Sequence, residues 1–250
     1  MRASAWEFRW RLGIMAAIIS LGFWAPWIDA WGVGGRISLL EWLALELSRS
    51  GLVRFTGATV AVILLASAIA AKAAILRVWG TAYLGAGVVN NAAMKAGAVV
   101  ADGPYRYVRN PLYLGTWGMI AALSFAMPPT GALFTMVLLT VFLLRLILGE
   151  ESFLAGQSGE GYALYKRAVP RLYPRLRGRL PPSGHPAHWA RAILAETNGI
   201  GVFLIFAVLS WRYDNRLMLR AILINFGLSL VIRALMMNSD REENAGHEHP

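Results

Sequence analysis

The residues of this 250-residue chain best suited to chemistry are two arginines, three tyrosines and a pair of adjacent acids. The run Gly103-Pro104-Tyr105-Arg106-Tyr107-Val108-Arg109-Asn110-Pro111-Leu112-Tyr113-Leu114-Gly115 precedes two apolar segments that close on Glu150-Glu151. Asn is favoured at a helix N-cap and Pro at the first helical position, so Asn110-Pro111 reads as a helix start. A helix N-terminus with the guanidinium groups of Arg106 and Arg109 beside it is an anion site. The second segment ends Leu146-Ile147-Leu148-Gly149-Glu150-Glu151 and is read as a helix C-terminus, where the backbone field prefers cations. Two acids set against that field suit a cationic or polyhydroxyl ligand. Charges this close to hydrocarbon are costly and commonly functional, and the hairpin brings all four to one water-facing end.

Composition fixes what carries these residues. With 57% hydrophobic and 15% charged residues the chain falls outside the range of soluble domains. A mean hydropathy of +0.50 makes it an integral membrane protein. Apolar runs at about 12–28, 52–76, 112–127, 131–148, 192–211 and 217–237 predict an all-α, polytopic bundle of about six spans. Pro128-Pro129-Thr130-Gly131 predicts a tight turn joining the third and fourth runs into a hairpin. Trp10, Trp24, Trp27, Trp79, Trp189 and Trp211 fall at span ends, as interfacial indoles do. Cations gather before the first run, after the second and between the fourth and fifth, so both termini are expected in the cytoplasm, N-in and C-in. The net charge of +10 then reflects topology and attraction to anionic lipid, and no nucleic-acid partner is required. With no cysteine, disulfides, thiolate nucleophiles and Cys-based metal sites are excluded.

The remaining segments are read as support. Bulky Trp24, Trp27 and Trp31 stand where a signal peptide would carry small residues, so the first run is an anchor. Ser38 to Ser48 predicts a short interfacial helix. Residues 77–110, broken by several glycines and Asn90-Asn91, read as a long loop, with an ordinary bend at Gly85-Ala86-Gly87. Pro181 to Pro186 reads as a linker, and His185, His188, His247 and His249 have too few partners to hold a metal.

Leu76-Arg77-Val78-Trp79, Tyr83-Leu84-Gly85, Gly103 to Gly115, Glu150-Glu151, Tyr162, Tyr165 and Val169 to Pro174 together resemble the isoprenylcysteine carboxyl methyltransferase family and the related phospholipid methyltransferases. The resemblance covers about residues 52–180, leaving 1–51 as an N-terminal anchor with its interfacial helix and 181–250 as a linker and C-terminal hairpin. It implies an integral membrane enzyme that uses S-adenosylmethionine in a pocket at the cytoplasmic face. Arg109, Pro111, Tyr113 and Gly115 match the family's Arg-His-Pro-x-Tyr-x-Gly signature, with Asn110 standing where the family carries His. Glu150 and Glu151 match its double-Glu cofactor motif, while Tyr162, Tyr165, Pro170 and Arg171 resemble the segment that closes over the cofactor. Tyr105 and Asn110 join the expected cofactor-binding set.

Methyl transfer from a sulfonium is an in-line displacement, and an ionised carboxylate needs no proton removed, so positioning and desolvation supply most of the catalysis. Arg106, Arg109 and Arg171 are the groups expected to hold the acceptor carboxylate or the methionyl carboxylate, with the glutamates on cationic or hydroxyl groups. A prenylated or lipid-like carboxylate in the bilayer is the expected acceptor, at a bacterial inner membrane or its equivalent. Phospholipid amines and small thiols are alternatives, an amine requiring a glutamate as base. An NADPH-dependent membrane reductase shares a similar Pro-x-Tyr-x-Gly region, but a double Glu disfavours an anionic dinucleotide. A non-catalytic scaffold is the remaining alternative.

Overall fold

A computed structural model describes residues 2–24, 37–51, 53–85, 101–175, 177, 180–181, 184–212 and 214–247. The glycine-rich stretch at 86–100, including Asn90-Asn91, lies outside the described residues, as do Trp27, Trp31 and His249. All regular structure in the described residues is helical. The order is α1 (Ala5–Arg9), α2 (Arg11–Phe23), α3 (Leu39–Arg49), α4 (Phe55–Leu84), a 3-10 turn at Gly103–Arg106, α5 (Pro111–Ser124), α6 (Pro129–Ala168), α7 (Trp189–Ala195), α8 (Thr197–Leu204) and α9 (Asn215–His247).

Among the described residues three stretches are long and apolar enough to cross a membrane: Phe55–Leu84, Pro129–Gln157 and Arg216–Asn238; a bent pair, Trp189–Ala195 with Thr197–Arg212, makes up to four. The six spans read from hydropathy therefore do not all appear. The described part of the first run ends at Phe23, after 13 helical residues. The third run gives a 14-residue helix, about 21 Å long and short of a bilayer's hydrocarbon. It stops because Phe125, Ala126 and Met127 turn the chain into Pro128, and the backbone amides of Leu39 and Leu40 take up the carbonyls of Met127 and Phe125. The helix carrying those amides, α3, begins in a capping box between Ser38 and Glu41. It buries Leu40 and Ala44 against Ala58, Val62 and Phe125.

Two further expectations change. Arg77 to Leu84, read as loop, is the last two turns of α4. Glu150 and Glu151 do not end a helix: α6, 40 residues long in all, passes through them to Ala168, so the argument from a C-terminal field does not hold. No residue between Gly149 and Ala168 forbids helix, and the first that does is Pro170, before which Val169 is extended (φ −114, ψ 129). At 1.5 Å per residue, Glu151 sits roughly 33 Å from the start of α6, about one hydrocarbon thickness. The remainder of α6 projects beyond it and ends on Lys166 and Arg167.

Packing locates the site. The principal core joins α3, α4 and α5 to α8 and α9 through Ile63, Ala66, Leu123, Val202, Phe206 and Met218. A second cluster joins α1, α5 and α6 through Phe8, Ile120, Leu139, Phe142, Leu143 and Leu146. Where α2 meets α6, Gly22 and Gly131 touch backbone to backbone, leaving no room for a Cβ on either.

The N-terminal helix is pinned to α6 by charge. Glu7 accepts from Arg145 Nε at 3.1 Å and Nη2 at 2.9 Å, and the Ala3 amide donates to the Arg145 carbonyl at 3.0 Å. Arg145, followed by the Ser4 amide, holds the Glu7 carboxyl down from an ordinary 4.5 to about 2. A carboxyl depressed on docking contributes its stabilisation above the undocked value and loses it as pH falls through the docked one. Corrected for the intrinsic rate at each pH, the amides of residues 3–9 are thus expected to lose protection from hydrogen exchange between about pH 4.5 and 2, and those of Glu7→Gln to be weakly protected throughout. Equal and undiminished protection factors in both proteins would contradict this pin.

Candidate functional site

At the level of Glu151 on α6 the chain returns twice to the same place. Tyr105 to Asn110 runs beneath the projecting half of α6, and Val169 to Arg175 doubles back along it. The Arg109 amide donates to the Pro170 carbonyl at 2.9 Å and the Arg175 amide to the Tyr107 carbonyl at 3.1 Å. The Tyr165 hydroxyl donates to the Tyr105 carbonyl at 2.9 Å, locking α6 to the 3-10 turn. Tyr162, Tyr165 and Val169 bury together under this crossing. Burial raises the phenols of Tyr162, to about 12, and of Tyr165 further, so both stay protonated donors.

Glu151 is the centre of the crossing and is 4% exposed. It receives Arg171 Nη2 at 2.8 Å, Arg109 Nη2 at 3.5 Å and Asn110 Nδ2 at 3.2 Å. Groups 42 residues before it and 20 after it in the chain thus converge on one carboxylate. Asn110 occupies the N-cap position of α5 without capping it: its amide donates instead to Glu151 and to the Arg171 carbonyl at 3.3 Å. A buried charged acceptor is a stronger partner than a neutral helix terminus.

Glu150, one residue earlier and partly buried, lies close enough to the Tyr113 phenol and to Arg11 to feel both electrostatically. The two acids therefore differ: Glu151 is taken up by two guanidinium groups and an amide, whereas Glu150 faces a phenol. Among the described residues, Arg109 Nε and the Tyr105 hydroxyl are buried without a hydrogen-bond partner. Buried donors left unpaired call for a partner from outside the chain, a water, an ion or a ligand.

The structure does not bring every expected residue here. Arg106 Nε donates to the Leu180 carbonyl at 3.0 Å, tying down residue 180. Pro111 is buried as the first residue of α5. Gly115 faces Arg77: a Cβ there would lie 2.5 Å from Arg77 Cγ and 3.2 Å from the Ala73 carbonyl. Its requirement is close packing of α5 on α4.

Residues 56–160 match the family model for phospholipid methyltransferase. That stretch is similar to the phospholipid methyltransferases. No curated protein and no solved structure matches the chain. The methyltransferase segment holds Arg109, Asn110, Tyr113, Glu150 and Glu151, while Tyr162, Tyr165 and Arg171 lie just after it.

Sequence reasoning passed over three groups that the structure joins to this segment. Arg77 was read as a topological cation and as part of the resembling stretch, but given no partner, yet it forms a buried pair with Glu196, which was not singled out at all. An acid inside an apolar run predicted to span was the available signal. His185 was placed in a linker, but its amide and Nδ1 meet the buried Asp102 Oδ2 at 2.9 and 3.1 Å.

Proposed function

We propose that the chain is an S-adenosylmethionine-dependent methyltransferase that O-methylates a carboxylate on a prenylated or lipid-like acceptor at the cytoplasmic face of the membrane. The observation that carries this reading is the convergence of Arg109, Arg171 and Asn110 on Glu151, with Glu150 beside them.

The donor set fits S-adenosylmethionine, which supplies an electrophilic methyl on a sulfonium. Arg109, Arg171 and Glu151 together carry one positive charge in excess, and Arg109 Nε is an unused buried donor. They suit a carboxylate. Glu150, beside the Tyr113 phenol rather than two guanidinium groups, suits an ammonium or ribose hydroxyls. Glu151 then orients the arginines, a division of roles between adjacent acids set by their neighbours. Tyr105, with an unpaired buried hydroxyl, and the Tyr162–Tyr165 pair line the same crossing and limit water.

An apolar cavity of about 520 Å³ between α4 and the α7–α8 pair supports a hydrocarbon-bearing acceptor. Ile75, Val78, Trp79, Trp189, Ile200 and Phe203 line it. Trp79 at its edge lies 6.1 Å, ring to ring, from Tyr107, between the two motif arginines. A carboxylate acceptor needs alignment and desolvation but no base.

The family's description favours a second acceptor, a phospholipid amine. In that case the nitrogen must lose a proton, and Glu150 is the carboxylate available to take it. Membranes containing the protein, incubated with methyl-labelled S-adenosylmethionine, decide between them. Label in base-labile methyl esters is expected; label in lipid amines selects the second reading, and label in neither overturns both.

A further inference from the structure

The helices after residue 180 lie outside the matched segment, yet the break between two of them supplies a charge pair as enclosed as Arg109 with Glu151. Glu196, 2% exposed, stands at the break between α7 and α8, where the pair bends by 66°. Its carboxylate meets Arg77 in a fork, Oε2 to Nε at 2.5 Å and Oε1 to Nη2 at 2.9 Å. The Thr81 hydroxyl adds a bond to Oε1 at 2.7 Å. A single-span reading of residues 192–211 has no use for a carboxylate there; the bend brings it to α4.

Arg77 does not stop at Glu196. Its remaining nitrogen, Nη1, donates to the Thr116 hydroxyl at 2.6 Å and to the Leu112 carbonyl at 3.4 Å, both on the first turns of α5. The side chain passes across α5 where Gly115 leaves space for it. Leu112 lies between Pro111 and Tyr113, and the Tyr113 phenol stands near Glu150. One guanidinium thus spans α8's N-terminal break, α4 and the turn that presents Asn110 to Glu151 and Tyr113 to Glu150.

We propose that Glu196 is a positioning residue for the donor site: it fixes Arg77, which sets the register of the α5 turn against Glu150 and Glu151. This rests on the reading of that acid pair as the S-adenosylmethionine site. Fork geometry locks the guanidinium plane, so its third nitrogen has one direction left. The C-terminal bent pair is then a working wall of the methyltransferase segment.

A buried ion pair can often be replaced by apolar residues of similar volume without loss of stability, whereas removing one partner strands the other. This separates positioning from folding. The Arg77→Met/Glu196→Met double variant, purified in detergent, is expected to unfold within a few degrees of the wild type but to bind S-adenosylmethionine at least about tenfold more weakly by calorimetry, corresponding to about 1.4 kcal/mol. Thr116→Val removes only the α5 end of the contact and is expected to weaken binding several-fold at unchanged unfolding temperature. Arg77→Lys, which keeps the charge without the fork, should resemble the double variant. Wild-type affinity in the folded double variant, or in Thr116→Val should the double variant not fold, overturns the proposal. Glu151→Ala is the parallel control. If it binds as the wild type does, the donor-site reading has failed; if it alone loses binding, only the role of Glu196 has.

Discussion

Glu151→Ala is expected to abolish measurable S-adenosylmethionine binding and to lower stability by about 3 kcal/mol. The carboxylate is the common acceptor of Arg109, Arg171 and Asn110, so its removal leaves three donors facing one another. The cost falls mainly on Arg109, whose side chain is 10% exposed and has no other described acceptor to turn to. Arg171 is 41% exposed, so water replaces much of what it loses and its share is small. Glu151→Gln should be intermediate, since the amide still accepts one hydrogen bond but carries no charge. Isothermal calorimetry and thermal unfolding in detergent measure the two effects. A Glu151→Ala protein with wild-type affinity and unfolding temperature would show that the cluster neither holds the donor nor braces the fold.

Gly115→Val is expected to be comparably damaging for a different reason. Its Cβ would collide with Arg77 Cγ and press on the Ala73 carbonyl, and the latter belongs to the rigid backbone of α4. Arg77 cannot swing aside without breaking its bonds to Glu196 and Thr116. Overpacking of this kind costs about 1–3 kcal/mol, and loss of the buried fork adds to it. Unfolding should occur at a clearly lower temperature, and S-adenosylmethionine affinity should fall as α5 moves away from Glu150. Gly118→Ala, also on the α4 face of α5 but with 3.2 Å to Ala73 Cβ as its tightest contact, should be milder. Equal effects from the two substitutions would count against Arg77 as the reason Gly115 must be glycine.

Much of this arrangement could be read in the chain. Residue types gave the membrane class, because apolar runs of bilayer length leave a polypeptide little else to do. The Arg-Asn-Pro-x-Tyr-x-Gly motif and the double Glu were legible, since each is local and chemically unusual beside hydrocarbon. Their meeting was an inference from a hairpin, and the 3.5 Å separation of Arg109 and Glu151 bears it out. The inferred geometry was nevertheless wrong in part. Hydropathy sees where polarity begins, not where a helix stops, so Glu150 and Glu151 looked like an end although α6 passes through them to Ala168. Short helices such as α5 were likewise mistaken for full spans, because a window averages across the Phe125 to Pro128 turn.

What the sequence determined by itself, then, was the solvent the protein lives in, the helical class and the two charged patches. Each follows from local composition. Only the tertiary structure decided that Glu151 is consumed by arginines while Glu150 is not, that Asn110 turns from its helix to a carboxylate, and that Glu196 reaches Arg77 across 119 residues of chain. Those outcomes depend on which buried charge finds which partner. In a low-dielectric interior the pairing is set by three-dimensional proximity, and distance along the chain carries almost no information about it.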